Sequence, residues 1–166
     1  VTQPADALGS PFGWHDTNGV AGVETNYSRG NNVDAYEDVD NNNLPTGGDA
    51  ARANGGATLN FDFPIDFSQQ PSTYRPAAIT NLFYWNNIVH DVTHNYGADE
   101  PGSNFQVNAY GRGDLGNDDV RAEAADDLEQ PDDLAGLAGV GKRDQQVPGD
   151  QHAEVAVNGL GGVHEV

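Results

Sequence analysis

Two histidines one helical turn apart, His90 and His94, are the residues of this sequence best spaced for chemistry. They stand in His90-Asp91-Val92-Thr93-His94, and residues four apart on a helix share a face, the geometry by which a helix offers two imidazoles to one metal ion. Asp91 occupies the place where a zinc peptidase usually carries the glutamate that acts as general base, and its side chain reaches less far. The same spacing also suits a satisfied core histidine beside a surface one. A second candidate cation site is the alternation Asp38, Asp40, Asn42 in the acidic, amide-rich turn from Val33 to Asn43. Successive odd positions of a calcium loop point oxygen ligands at one hard cation, although the closing bidentate Glu and the central Gly are not in their usual places here. The alternative is a solvated turn whose Asp and Asn side chains cap their own backbone. Asn26-Tyr27-Ser28 fits the N-glycosylation sequon, which has meaning in a eukaryotic secretory pathway.

The His90/His94 pair needs a helix, and the run from Pro76 to Gly97 supplies one. Pro76 suits the first helical turn, where a missing N–H costs nothing, and Gly97 suits the left-handed residue that ends a helix. At about 100° per residue, Ile79, Leu82, Phe83, Val89 and Tyr96 fall on one arc with Trp85, Ile88 and Val92 beside it. That leaves a narrow polar strip of Thr80, Asn87, Asp91, His94 and Asn95, and predicts a helix buried on more than one side. Before it, Thr58 to Phe67 alternates strictly, with Leu59, Phe61, Phe63, Ile65 and Phe67 on one side, the pattern of a strand that Pro64 places at an edge or a bend. Shorter strands are expected at Val20 to Ser28 and at Asn104 to Tyr110, with Leu44 to Ala57 as a surface loop. Together these elements predict an α+β fold: a β-rich N-terminal lobe with one long buried helix.

Seven basic against twenty-six acidic residues in 166 leave a net charge of −19, which repels nucleic acid and anionic membrane surfaces and attracts cations. The acidic excess fits a protein that works outside the cell or in high salt. There is no cysteine, hence neither a disulfide framework nor thiolate chemistry. No signal peptide or spanning segment is visible, so an exported protein would be present here in a mature or excised form. All fourteen aromatic residues lie at or before Tyr110, and the acidic C-terminal third carries no clear periodicity. The core is therefore expected in the first two thirds, and nothing in the sequence sets an oligomeric state.

Several unusual words follow one another in a fixed order: Ser10-Pro11-Phe12-Gly13-Trp14-His15-Asp16, Ala35-Tyr36-Glu37-Asp38, Asn81-Leu82-Phe83-Tyr84-Trp85-Asn86-Asn87-Ile88-Val89-His90-Asp91, Gly102-Ser103-Asn104-Phe105-Gln106, and Gly111-Arg112-Gly113 through Gly116-Asn117-Asp118. In these the chain resembles the fungalysin family of secreted zinc metallopeptidases, from about Ser10 to Glu123. The resemblance implies residues 1–123 as the front half of a thermolysin-like catalytic unit, and residues 124–166 as a divergent or truncated segment. It implies an extracellular location, a protein or peptide substrate cut internally, and zinc as cofactor.

In that family the zinc lies on a later helix carrying His-Glu-x-x-His, with a third ligand, a Glu, further on. The word ending at His90 matches the family, whereas His94 is not part of it, and the helix pair loses ground as a zinc site. The resemblance places His164 as the first zinc ligand and Glu165 as the general base, in Gly161-Gly162-Val163-His164-Glu165-Val166. A second histidine and a third ligand do not follow, and one imidazole cannot close a catalytic zinc site that needs three protein ligands. The chain on its own is therefore expected to lack peptidase activity. A reading from another class is a non-catalytic extracellular module that holds calcium at Asp38, Asp40 and Asn42.

Overall fold

A computed structural model describes residues 4–113 and 115–124. Among them are two strands, β1 (Val33–Glu37) and β2 (Val120–Ala124), and one long helix, α1 (Arg75–His94), with four single-turn 3-10 segments in the connections. The strands pair in parallel, Val33 opposite Val120 through to Glu37 opposite Ala124. Parallel neighbours cannot be joined by a tight turn, and the long connection between them contains α1, which packs on both strands. The core lies between helix and ladder: Ile79, Leu82 and Phe83 of α1 meet Val33, Ala35, Ala122 and Ala124, with Trp14 and Ala53 closing the sides. Small residues at the ladder positions let the helix approach the sheet closely, while Trp14 packs edge-on against Phe83 at 6.3 Å between ring centroids.

The far edge of β1 is covered by the segment that precedes it. Ala35 donates its N–H to the Ser28 carbonyl and Gly30 to the Val33 carbonyl, both at 2.9 Å. Gly30 runs so close to the 14–15 backbone that an added Cβ would sit 1.5 Å from the Trp14 carbonyl oxygen, so no other residue fits. The acidic residues of β1 that point outward are paired. The Asp34 carboxylate takes two bonds from Arg52, Nε at 2.6 Å and Nη2 at 2.5 Å, and Glu37 lies 3.4 Å from Arg75 Nε. β1 falls in what the sequence presents as an acidic turn, because these charges hide the alternation of its buried Val33 and Ala35.

Gly97 stops α1 as expected. At φ +99° its N–H meets the His94 carbonyl at 3.2 Å, and the Ala98 N–H meets that of Thr93 at 3.1 Å, a pairing that satisfies the last carbonyls of the helix. The facing of α1 differs from expectation. Asn87 and Asp91, from the expected polar strip, are buried, whereas Trp85 (56 % exposed), Val89 (57 %), Val92 (52 %) and Tyr96 (88 %) lie open among the described residues. The helix is buried on one side, and that side carries amide and carboxylate groups toward its C-terminal end. Hydrophobic periodicity misplaced the face because polar groups with fixed partners bury as readily as apolar ones.

Where a strand is expected, at Thr58 to Phe67, Thr58 ends a 3-10 turn (Gly56–Thr58) and the rest is an irregular segment without a ladder. Leu59 takes a left-handed backbone at φ +51°, Phe61 and Phe63 pack partly buried against the core, and Ile65 and Phe67 are exposed. Its alternation records which side faces the core, and Pro64 removes one donor that a ladder would need. Val20 to Ser28 contributes an isolated bridge, Tyr27 to Asn54, and Asn104 to Tyr110 forms no strand. The described lobe is thus α+β with a two-stranded sheet and long connections, less β-rich than expected.

Candidate functional site

The polar cluster on the C-terminal half of α1 is the one place where the described chain gathers buried ionisable groups around candidate site residues. Asp91 is its hub, because the helix points its carboxylate into the N-terminal segment. It accepts from the Asp6 N–H at 2.9 Å, the Ser10 hydroxyl at 2.6 Å and the Trp14 indole N–H at 2.7 Å, and His90 Nδ1 lies 3.2 Å away. Burial alone would raise the Asp91 carboxyl, but bonds from His90, Ser10, the Asp6 N–H and Trp14 outweigh it and hold the group below the ordinary carboxylate range. A carboxylate only accepts, so His90 carries its proton on Nδ1. His90 Nε2 then faces the Asn104 amide at 3.4 Å.

One turn on, His94 Nε2 lies 3.1 Å from Glu100 Oε2, and Arg112 Nη1 reaches Glu100 Oε1 at 3.1 Å. The Glu100 carboxyl is buried, which raises it, but its own backbone N–H, His94 and Arg112 hold it below the usual range. Arg112 also donates to the Leu8 carbonyl at 3.0 Å. Asn32 extends the network inward, donating to Ser10 Oγ at 2.9 Å and to Asn87 Oδ1 at 3.1 Å. Asn32 Oδ1 and Asn104 Oδ1 are buried without a hydrogen-bond partner among the described residues.

Ser10, His90 and Asp91 are the residue types of a nucleophilic triad, but their order is wrong for one. The carboxylate stands between hydroxyl and imidazole, so the Ser10 proton points at Asp91 and not at the ring of His90. The zinc reading of the helix pair meets a similar arrangement. The His90 and His94 rings are 6.1 Å apart between centroids, and each is turned to its own carboxylate. Among the described residues no group of three or more His, Asp or Glu side chains is placed to hold a metal ion. The described donors therefore do not fit a catalytic zinc. The cluster joins the N-terminal segment and the 99–112 connection to α1, as a clamp.

In the acidic turn, Asp38 is buried and its carboxylate accepts the N–H groups of Asn42 at 3.1 Å and Asn43 at 2.6 Å. Asp40 accepts from the Asn42 amide at 2.8 Å and from the Thr46 hydroxyl at 2.7 Å; the Thr46 bond is the main cause that keeps its carboxyl below the ordinary range. Asn41 and Asn43 take positive φ values of 49° and 58°, which the short amide side chain tolerates. The carboxylates of Asp38 and Asp40 are thus engaged within the turn itself, and Asn42 enters it as a donor. His164 and Glu165 lie outside the described residues.

The spacing that singles out His90 and His94 says nothing of their partners. Ser10, Asn32, Glu100, Asn104 and Arg112 are far apart in the chain; Ser10, Asn104 and Arg112 fall in three separate words of the family resemblance, and Asn32 and Glu100 in none. A shallow cavity of about 360 Å³ lies nearby, lined by Phe12, Asn18, Gly19, Asn108, Tyr110 and Arg112. It contains none of the candidate ligands.

The fungalysin metallopeptidase (M36) family model matches residues 1–135. Extracellular metalloproteinase 5 of Trichophyton tonsurans is 35% identical over 134 residues, covering 76% of this chain and 20% of that protein. Extracellular metalloproteinase 1 of Phaeosphaeria nodorum is 39% identical over 128 residues, covering 72% and 18%. Extracellular metalloproteinase mep of Aspergillus fumigatus is 36% identical over 132 residues, covering 76% and 19%. The chain thus spans about a fifth of the length of the curated relatives it matches. The match runs through every described residue, the clamp on α1 included, and by it the chain belongs to the fungalysin metallopeptidase family.

Proposed function

We propose that this chain is part of a secreted zinc metalloendopeptidase and supplies it with scaffold, the clamped helix and strand pair, while the metal is held elsewhere. The observation that carries the reading is the family match across residues 1–135. The buried clamp supports it from the other side: the imidazoles best spaced for zinc are occupied in holding the fold. In this reading zinc, when bound, supplies the activated water, His164 is one of its ligands and Glu165 is the general base. Protein or peptide is the substrate class. A net charge of −19 disfavours nucleic acid, and no helix among the described residues is long and apolar enough to cross a membrane.

The test is secretion of the protein from its complete gene with casein as substrate. Chelator-sensitive hydrolysis that Glu165→Gln abolishes is expected. No hydrolysis, or hydrolysis indifferent to the chelator or to Glu165→Gln, overturns the reading. The polypeptide of residues 1–166 taken alone is expected to hydrolyse nothing and to retain no zinc by elemental analysis. About one zinc per chain, lost in His90→Ala or His94→Ala, would return the site to α1.

The calcium-binding module is a second reading, and it requires Asp38 and Asp40 to exchange their present partners for a cation. Because those oxygens already cap the turn, the melting temperature is expected to be the same with calcium and with a calcium chelator. A rise with calcium that Asp38→Asn removes would establish the module instead.

A further inference from the structure

Asn26 is exposed, as are residues 20–24 before it, in a stretch without regular structure. The backbone around it is nonetheless held: the Asn26 carbonyl accepts the Gly55 N–H at 2.8 Å, and Tyr27 bridges to Asn54. The Asn26 side-chain amide enters no hydrogen bond among the described residues. No hydrogen bond among the described residues therefore asks for asparagine at this position.

Two residues on, the opposite holds. Ser28 is fully buried; its hydroxyl donates to the Ala35 carbonyl at 2.8 Å and accepts the Ala53 N–H at 3.0 Å. Serine is thus accounted for by packing, asparagine is not, and the two frame Asn26-Tyr27-Ser28, the sole Asn-x-Ser/Thr triplet in the chain without proline at its centre.

We propose that Asn26 is an N-glycosylation acceptor, modified when the chain passes through a eukaryotic secretory pathway; this rests on the secreted reading above. The donor is an oligosaccharide carried on a lipid pyrophosphate. A bond forms between Asn26 Nδ2 and the anomeric carbon of the first sugar, and the bond from that carbon to the pyrophosphate oxygen breaks. The lipid pyrophosphate leaves with the electron pair, and the amide loses one proton. The buried Ser28 hydroxyl sets the order of events. It is available to the transfer machinery only before the 26–30 segment closes on β1, so the sugar is added to the nascent chain. Once the chain folds, the glycan projects from an exposed side chain that has no hydrogen bond to break among the described residues.

The experiment is secretion of the chain from a yeast host, read by intact mass before and after peptide N-glycosidase. The expected result is a heterogeneous excess mass that the enzyme removes, converting Asn26 to aspartate, and that Asn26→Gln lacks. A secreted chain at bare polypeptide mass, or an excess that survives in Asn26→Gln, overturns the proposal. Ser28→Ala is a poor probe because it also removes two buried hydrogen bonds. Where Asn26→Gln is not secreted, translation behind a heterologous signal with microsomes reads the same modification without a folded product; an unshifted wild-type band there overturns the proposal. Neither readout involves peptidase activity, so failure of the metallopeptidase reading would leave the glycan result standing.

Discussion

At the scale of single residues, Asp91 is a buried polar group whose loss the fold would feel. Its carboxylate receives bonds from three residues of the N-terminal segment and lies beside His90, and Asp91→Asn would turn one of its acceptors into a donor facing groups that already donate. A loss of about 2–3 kcal/mol in stability is expected by denaturant titration. Acid should act on the same groups. Asp91 and Glu100 have carboxyls depressed in the folded chain relative to their ordinary values of 3.8 and 4.5. The folded state therefore binds fewer protons than the unfolded one in that range, and the stability these groups contribute is present above their ordinary values. It declines as pH falls past 4.5 and 3.8 and is gone below the depressed folded values. Thermal unfolding followed across that window is expected to show the decline, and the double variant Asp91→Asn, Glu100→Gln to show a shallower one. An equal slope in both would assign the acid sensitivity to other carboxylates.

For the elements, the ends of α1 were readable and its facing was not. Pro76 and Gly97 act through their own backbone chemistry, so their neighbours hardly matter. Gly97→Ala, which forces a side chain onto φ +99°, should cost about 1 kcal/mol with the helix otherwise intact by circular dichroism. The buried face depends on partners more than seventy positions away, such as Ser10 and Trp14 for Asp91, and no local pattern announces them. The same is true of β1, whose Asp34 and Glu37 read as loop residues until Arg52 and Arg75 are placed beside them. Phe61 and Phe63 show the converse failure: a correct inward side and a wrong element, because alternation reports burial and a strand also requires a neighbour. The site divides similarly. His90 and His94 drew attention by type and spacing, whereas their carboxylate partnerships became visible in three dimensions. Phe83→Ala, at the meeting of helix, ladder and Trp14, is expected to remove about 3–5 kcal/mol by the same titration.

On the scale of the whole molecule, charge dominates. With −19 spread over 166 residues, the compact state concentrates repulsion that the expanded chain relieves. Salt should therefore raise the melting temperature, steeply up to roughly 0.1 M, where the screening length is about 10 Å, and more gently beyond. A melting temperature that falls with salt would mean that ion pairs such as Arg52 with Asp34 outweigh the repulsion.

The parallel pairing of β1 with β2 carries a consequence for synthesis. Tyr36 and Glu123, joined at the ladder by a 2.7 Å hydrogen bond, are separated by 87 positions. While a ribosome makes this chain, β1 emerges before β2 and pairs meanwhile with the 26–30 segment. The Asp91 clamp becomes available next and gathers the N-terminal segment onto α1. The ladder comes last, when Val120 to Ala124 has cleared the exit tunnel. Until then one edge of β1 is bare, and sequence-distant pairing of this kind is slow to form and open to wrong partners. A pause in translation just before the codon for Val120 would hold the chain in that unguarded interval.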